Sequence, residues 1–193
     1  MRIACLGLAL LATACVSDTQ VRDAIVDVNS EFRVEYERVL AERGSRVYRV
    51  SRTRAYEAVV AAMKRIGMHI GDQAEDLGYL GVFAPAPAPL SQEEWKRAAE
   101  VDLPKLRQIA SRHVGLVAQF LNFEPEGLEV VINATVLGTG GSSEISLTMR
   151  MREYAPPKSG RPRREYAPPT AVRQGLDKIW SEIDQELPGA HVR

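Results

Sequence analysis

Two segments in the last third of the chain restrict the fold more than anything else in it. From Glu144 to Arg152, Ile145, Leu147, Met149 and Met151 alternate with Ser146, Thr148, Arg150 and Arg152. Successive side chains of a strand point to opposite faces, so this alternation makes one dry face and one wet one, as in an antiparallel sheet covered on one side. Leu128 to Leu137 reads as a second such strand, and Gly138-Thr139-Gly140-Gly141 connects the two as a hairpin. That glycine run is not a phosphate loop, because a strand follows it and no helix N-terminus faces an anion. The dry face has to be covered, and the rest of the chain supplies helices to do it.

Upstream, Arg46 to Val50 alternates and is rich in β-branched residues, which predicts a strand. Ser51 or Thr53 caps a helix whose apolar face is Tyr56, Val59, Val60, Met63 and Ile66. Met68–Gln73 and Tyr79–Ala84 are predicted as paired strands around Asp76-Leu77-Gly78, with Gly78 free to take a positive φ. Ala84 to Pro89 (APAPAP) reads as a short, stiff polyproline-like spacer. Ser91 and Glu94 form a capping box for a helix starting near Gln92. Pro104 is expected to break or kink it, with Asp102 recapping a second helical segment that runs to about Leu121. A closing helix runs from about Ala171 to Leu187, its stripe formed by Val172, Leu176, Ile179, Ile183 and Leu187 with Trp180 beside it. Before all of these, Val21, Ile25, Val28, Phe32, Tyr36 and Val39 form the stripe of an N-terminal amphipathic helix, either packed on the domain or extended as a stalk. The fold class is therefore α+β, an antiparallel sheet of about five strands with helices on one face.

The order of the Arg46–Ala84 unit, the hairpin and the long closing helix resembles the helix-grip domains of the lipoprotein C subunit of the outer-membrane β-barrel assembly machinery. The helical insertion at about residues 91–122 departs from that pattern.

The N-terminus carries a different message. Met1-Arg2 is followed by the uncharged run Ile3–Ala14, too short to cross a hydrocarbon core that needs about 20 residues, but suited to a signal peptide. Leu11-Ala12-Thr13-Ala14-Cys15 resembles the lipobox of bacterial lipoprotein precursors, with Ala12 where leucine is usual. The resemblance implies cleavage after Ala14, a diacylglycerol on the Cys15 thiol and a further acyl chain such as palmitate on its amine. It also implies the periplasmic face of the outer membrane, because Val16 stands where an aspartate retains such proteins in the inner membrane. The expected organisation is a signal peptide at 1–14, anchor and first helix at 15–45, one α+β domain at 46–188 and a tail at 189–193.

Composition narrows the function classes. The chain has 25 basic and 25 acidic residues, and loss of Arg2 with the leader leaves it one unit negative, which gives nucleic acid no electrostatic purchase. Cys5 lies in the leader, so no internal disulfide is expected in the mature chain. His69, His113 and His191 have no second ligand at metal spacing, and no nucleophile elbow or zinc-binding helix motif is present. No cofactor, metal or catalytic residue is expected.

The unusual feature is an exact repeat: Arg152-Glu153-Tyr154-Ala155-Pro156-Pro157 recurs as Arg164-Glu165-Tyr166-Ala167-Pro168-Pro169, with Lys158, Arg161 and Arg163 between the copies. One reading is a basic, proline-stiffened loop presenting Tyr154, Arg161, Arg163, Arg164 and Tyr166 to a protein partner or to anionic head groups, since tyrosine and arginine favour interfaces. The other is a small duplication that merely lengthened a loop. The expectation is a membrane-anchored, non-catalytic interaction module with an envelope protein as partner, working in envelope assembly or maintenance. A carrier of lipid or another apolar ligand, with Val114–Phe123 as the cavity wall, is the alternative, and an enzyme with an unrecognised site is the third.

Overall fold

The computed structural model describes residues 16–154, 161–165 and 167–192. In chain order its elements are α1 (Asp18–Arg43), β1 (Ser45–Tyr48), α2 (Arg52–Arg65), β2 (His69–Ala74), β3 (Tyr79–Pro85) and α3 (Gln92–Val114). A 3-10 helical segment (Gly115–Phe120), β4 (Leu128–Thr139), β5 (Ser142–Glu153) and α4 (Pro169–Glu186) complete the order. The strands make one open antiparallel sheet in the order β1-β5-β4-β3-β2. With four α-helices, this is the α+β fold read from the sequence.

The hairpin organises the sheet. β4 and β5 pair without interruption from Leu128↔Glu153 to Thr139↔Ser142, leaving Gly140-Gly141 as the two-residue turn. Both glycines have positive φ, as the twist-matched hairpin turns require. Gly78 meets a sharper constraint: φ is +69°, and a Cβ there would lie 2.2 Å from the Val136 carbonyl oxygen. On the dry face Val130, Ile132, Ala134, Ile145, Leu147 and Met149 are buried in one cluster with Tyr56, Val59 and Met63 of α2 and Leu176, Ile179, Trp180 and Ile183 of α4.

α1 belongs to the domain and is not a stalk, since Phe32 is only 1% exposed and Val28 and Val39 are buried in the same core. Its first turn is closed by a capping box between Ser17 and Gln20.

Four expectations are corrected. Ala84–Pro89 is no extended spacer: Ala88 N–H donates to the Pro85 carbonyl and Leu90 N–H to that of Pro87, so the segment folds into turns, and the Ala86-Pro87 and Ala88-Pro89 bonds are cis. Pro104 does not break the helix. α3 is continuous because Trp95, Ala98 and Ala99 before the proline and Leu106, Ile109 and Ala110 after it are buried, and that packing outweighs one lost backbone bond. Asp102 caps a different helix, its carboxylate accepting from Thr170 N–H at 2.8 Å and from the Thr170 hydroxyl at 3.0 Å in the first turn of α4. Burial raises the Asp102 pKa, and those two bonds oppose the shift. The helix also ends earlier than expected, at Val114. Gly115 (φ +55°) redirects the chain into the 3-10 segment.

Candidate interaction surface

Two contacts fix the relation of α3 to α4. Glu94 of α3 meets Lys178 of α4 at 3.0 Å, and Asp102 meets Thr170, so the helices run antiparallel. α3 therefore continues beyond the start of α4 for the twelve residues from Leu103 to Val114, about 18 Å at 1.5 Å per residue. Alongside it lies the N-terminal part of α1, also antiparallel. Asp27 meets His113 at 2.7 Å, Glu31 meets Arg112 at 2.6 Å and Glu35 meets Lys105 at 3.1 Å. The three acids are one helical turn apart on α1 and form a charged seam. Beneath it the rings of Phe32 and Phe123 stack 5.7 Å apart. Together the two helices form an arm, with the 3-10 segment at its end.

Lys105 and Arg38 beside Glu35 hold its carboxyl below the ordinary value of 4.5, the hydrogen bond from Lys105 being the largest cause. A depressed folded pKa gives stability that is present above the ordinary value and lost as pH falls through the folded one. Glu35→Gln removes that component. The difference in melting temperature between parent and variant is expected to narrow as pH falls from neutral to below 4.5; a constant gap across the titration would show that the seam contributes nothing through charge.

The described part of the duplicated loop, residues 161–165, lies along this arm. Asn29 of α1 holds its backbone at two points, its amide nitrogen donating to the Arg163 carbonyl at 3.1 Å and its oxygen accepting from Glu165 N–H at 3.2 Å. Arg161 reaches Asp18 in the first turn of α1 at 2.5 Å, and Arg164 pairs with Glu153 at the end of β5 at 2.5 Å. The three described arginines are thus spread along the arm, and two of them are neutralised by acids. Arg163 and Tyr154 keep exposed side chains, Tyr154 at 62%. Ala14, Cys15, Lys158 and Tyr166 lie outside the described residues. Asn29, Asp18 and Glu153, which position the loop, were not identified from the sequence, and nothing in the pattern of an amphipathic helix marks one polar residue as a clamp. Asn29→Ala is expected to speed tryptic cleavage after Arg163 or Arg164 several-fold. The unfolding midpoint should move little, as is usual for surface changes of under about 1 kcal/mol. Cleavage at the parental rate would mean that the loop is held by other contacts.

Val114–Phe123 does not wall an internal cavity. Leu116 is 86% exposed and Phe120 82%, while only Ala118 and Phe123 of the stretch are buried. The space between sheet and helices is filled by side chains, with Ile132, Ile145, Ile179 and Trp180 all at 0% exposure.

Elsewhere, β1 is tied to α4. The Tyr48 hydroxyl donates to one oxygen of Asp184 and Arg46 to the other, each at 2.7 Å, and the Arg46 guanidinium lies 4.9 Å from the centre of the Trp180 ring. Burial, then Asp184, raises the Tyr48 pKa, which keeps the hydroxyl a donor. Both oxygens of Asp184 are thereby engaged in holding structure. His69 is exposed beside Phe83, His113 pairs with Asp27, and the His191 ring packs on Tyr48. Among the described residues no three His, Cys, Asp or Glu side chains come together as a metal site, and no helix is long and apolar enough to cross a membrane. No protein-family model matches the chain, and no curated protein matches it in sequence.

Proposed function

We propose that the chain is an envelope lipoprotein, anchored through Cys15 on the periplasmic face of the outer membrane, whose α+β domain works by protein–protein contact in envelope assembly or maintenance. The observation that carries this reading is the placement of the duplicated loop. Its backbone is clamped by Asn29 to the helix that begins directly after the anchor, while Tyr154 and Arg163 are turned to solvent. A tyrosine and an arginine on a positioned backbone bind at low entropic cost, because the end of β5 and residues 161–165 need not be ordered on association. The test is a photo-crosslinking residue at position 154 in cells, with position 77, exposed at the other end of the sheet, as control. One envelope protein captured at 154 and absent at 77 supports the reading. No capture at 154, together with an unaltered envelope after deletion of residues 155–165, removes the loop from it.

The carrier reading keeps one specific support, an open groove of about 480 Å³ between α3 and residues 122–126, lined by Trp95, Ala99, Leu103, Phe123 and Pro125 among others. That volume lies in the range of small-molecule sites, roughly 300–1,000 Å³. A lipophilic dye that brightens with the parent and not with Leu103→Glu would favour it.

A further inference from the structure

The end of the arm presents an apolar surface for which the fold has no internal use. From Val114 to Leu121 the chain (VGLVAQFL) has no charged residue. Ala118 is its buried footing, packed in a small cluster with Ala24 of α1 and Ala110 of α3, and Val114 and Leu121 flank it. Leu116, Val117 and Phe120 are exposed at 86%, 43% and 82%. A leucine and a phenylalanine so fully turned to water within five residues, with Val117 one 3-10 turn before Phe120, mark a contact surface.

Its position selects the occupant. Ala24 lies six residues along α1 from Asp18, a rise of about 9 Å. Asp18 follows Cys15 by three residues, and the undescribed chain before it ends at that cysteine. An anchor at Cys15 therefore holds the first turn of α1 at a bilayer surface, with the Ala118 footing beside it. Side chains that reach away from that footing lie at the depth of the headgroup and acyl boundary, where interfacial segments bury their apolar faces by about 5–10 Å.

We infer that Leu116, Val117 and Phe120 form a bilayer contact, seating the arm on the membrane that holds the lipid anchor. This rests on the lipoprotein reading above. The contact fixes the orientation of the domain: the arm meets the lipid, and the Gly140-Gly141 turn and Leu77, at the opposite end of the sheet, face away from it. It also places the duplicated loop near the membrane, since Arg161 is paired with Asp18 in the same first turn.

The mature chain is expected to have no thiol besides Cys15, so Leu116→Cys, Phe120→Cys and, as control, Leu137→Cys each provide a single labelling site. Each variant of the full chain, processed in a bacterial host and labelled with bimane, is reconstituted in phosphatidylcholine–phosphatidylglycerol vesicles carrying acyl chains brominated near the headgroup. The mass of the Cys15 peptide is read in parallel. Loss of bimane emission at 116 and 120 and none at 137, with Cys15 acylated, is the expected result. Undiminished emission at 116 and 120 with Cys15 acylated overturns the bilayer contact alone. A concentration-dependent blue shift without bromolipid quenching also overturns it, because a second copy then covers the surface. An unacylated Cys15 or a retained leader overturns the contact and the lipoprotein reading together.

Discussion

Replacement of Trp180 by alanine is expected to lower the unfolding free energy by about 3–5 kcal/mol, the cost typical of an aromatic core truncation. Trp180 is fully buried in α4, and its indole N–H donates to the Arg43 carbonyl at 2.7 Å, at the end of α1. Arg46 stacks on the ring and Tyr48 lies beside it, with ring centroids 6.5 Å apart. One side chain thus joins the N-terminal helix, the first strand and the last helix. Truncation leaves a cavity and removes the donor for a carbonyl of the helix end. Trp180→Phe separates these effects: it keeps most of the apolar contact and leaves the carbonyl unpaired, for about 1–3 kcal/mol. Urea unfolding followed by circular dichroism reads both. A Trp180→Ala protein within about 1 kcal/mol of the parent would show that the three elements are not joined through this residue.

The second large effect concerns the anchor. On the proposal that Cys15 is acylated, Cys15→Ala incorporates no palmitate and keeps residues 1–14, because the lipoprotein peptidase cuts ahead of an acylated cysteine. Intact mass and labelled palmitate in cells read both outcomes. The change is all-or-none, since a multi-chain anchor holds a protein to a membrane far more firmly than a single acyl chain can. A parent protein cut near the same place but without acyl groups would make it an ordinary exported protein, and the proposal would fall.

What the sequence made legible follows from which forces are local. The β4–β5 hairpin was readable because its period of two and its glycine turn lie within one stretch of chain. α4 was readable because its stripe recurs at helical spacing, although Trp180 was placed beside the stripe and is in fact at the core. Pro104 was misread because its local penalty was weighed without the burial of Leu106 and Ile109, which only the tertiary structure reveals. Asp102 looked like a cap for its own helix and caps one that starts at Pro169, far along the chain. The 3-10 segment has a local sequence signal: Gly115 interrupts the helical run, so the apolar residues after it need not share the buried face of α3. Of the candidate surface, the duplicated loop could be read as an exact recurrence. The clamp at Asn29 could not, because pairings between distant residues leave no periodic trace in a single sequence.

The tie between the first strand and residues 191–192 has a consequence for the order of folding. Among the described strands β1 pairs with β5, and Ser45 and Ser146, which share a hydrogen bond across that pair, are 101 residues apart. Its other edge is closed by the last residues, through the Tyr48↔His191 bridge and the bond from Val192 N–H to the Val47 carbonyl. A polypeptide made N-terminus first has β1 in hand long before either partner arrives. Pairings this distant in sequence form late and slowly. The domain therefore completes its fold only after its last elements have been made, and a transcript that stops short of α4 yields a chain with an open strand edge and an uncovered core, a substrate for proteases.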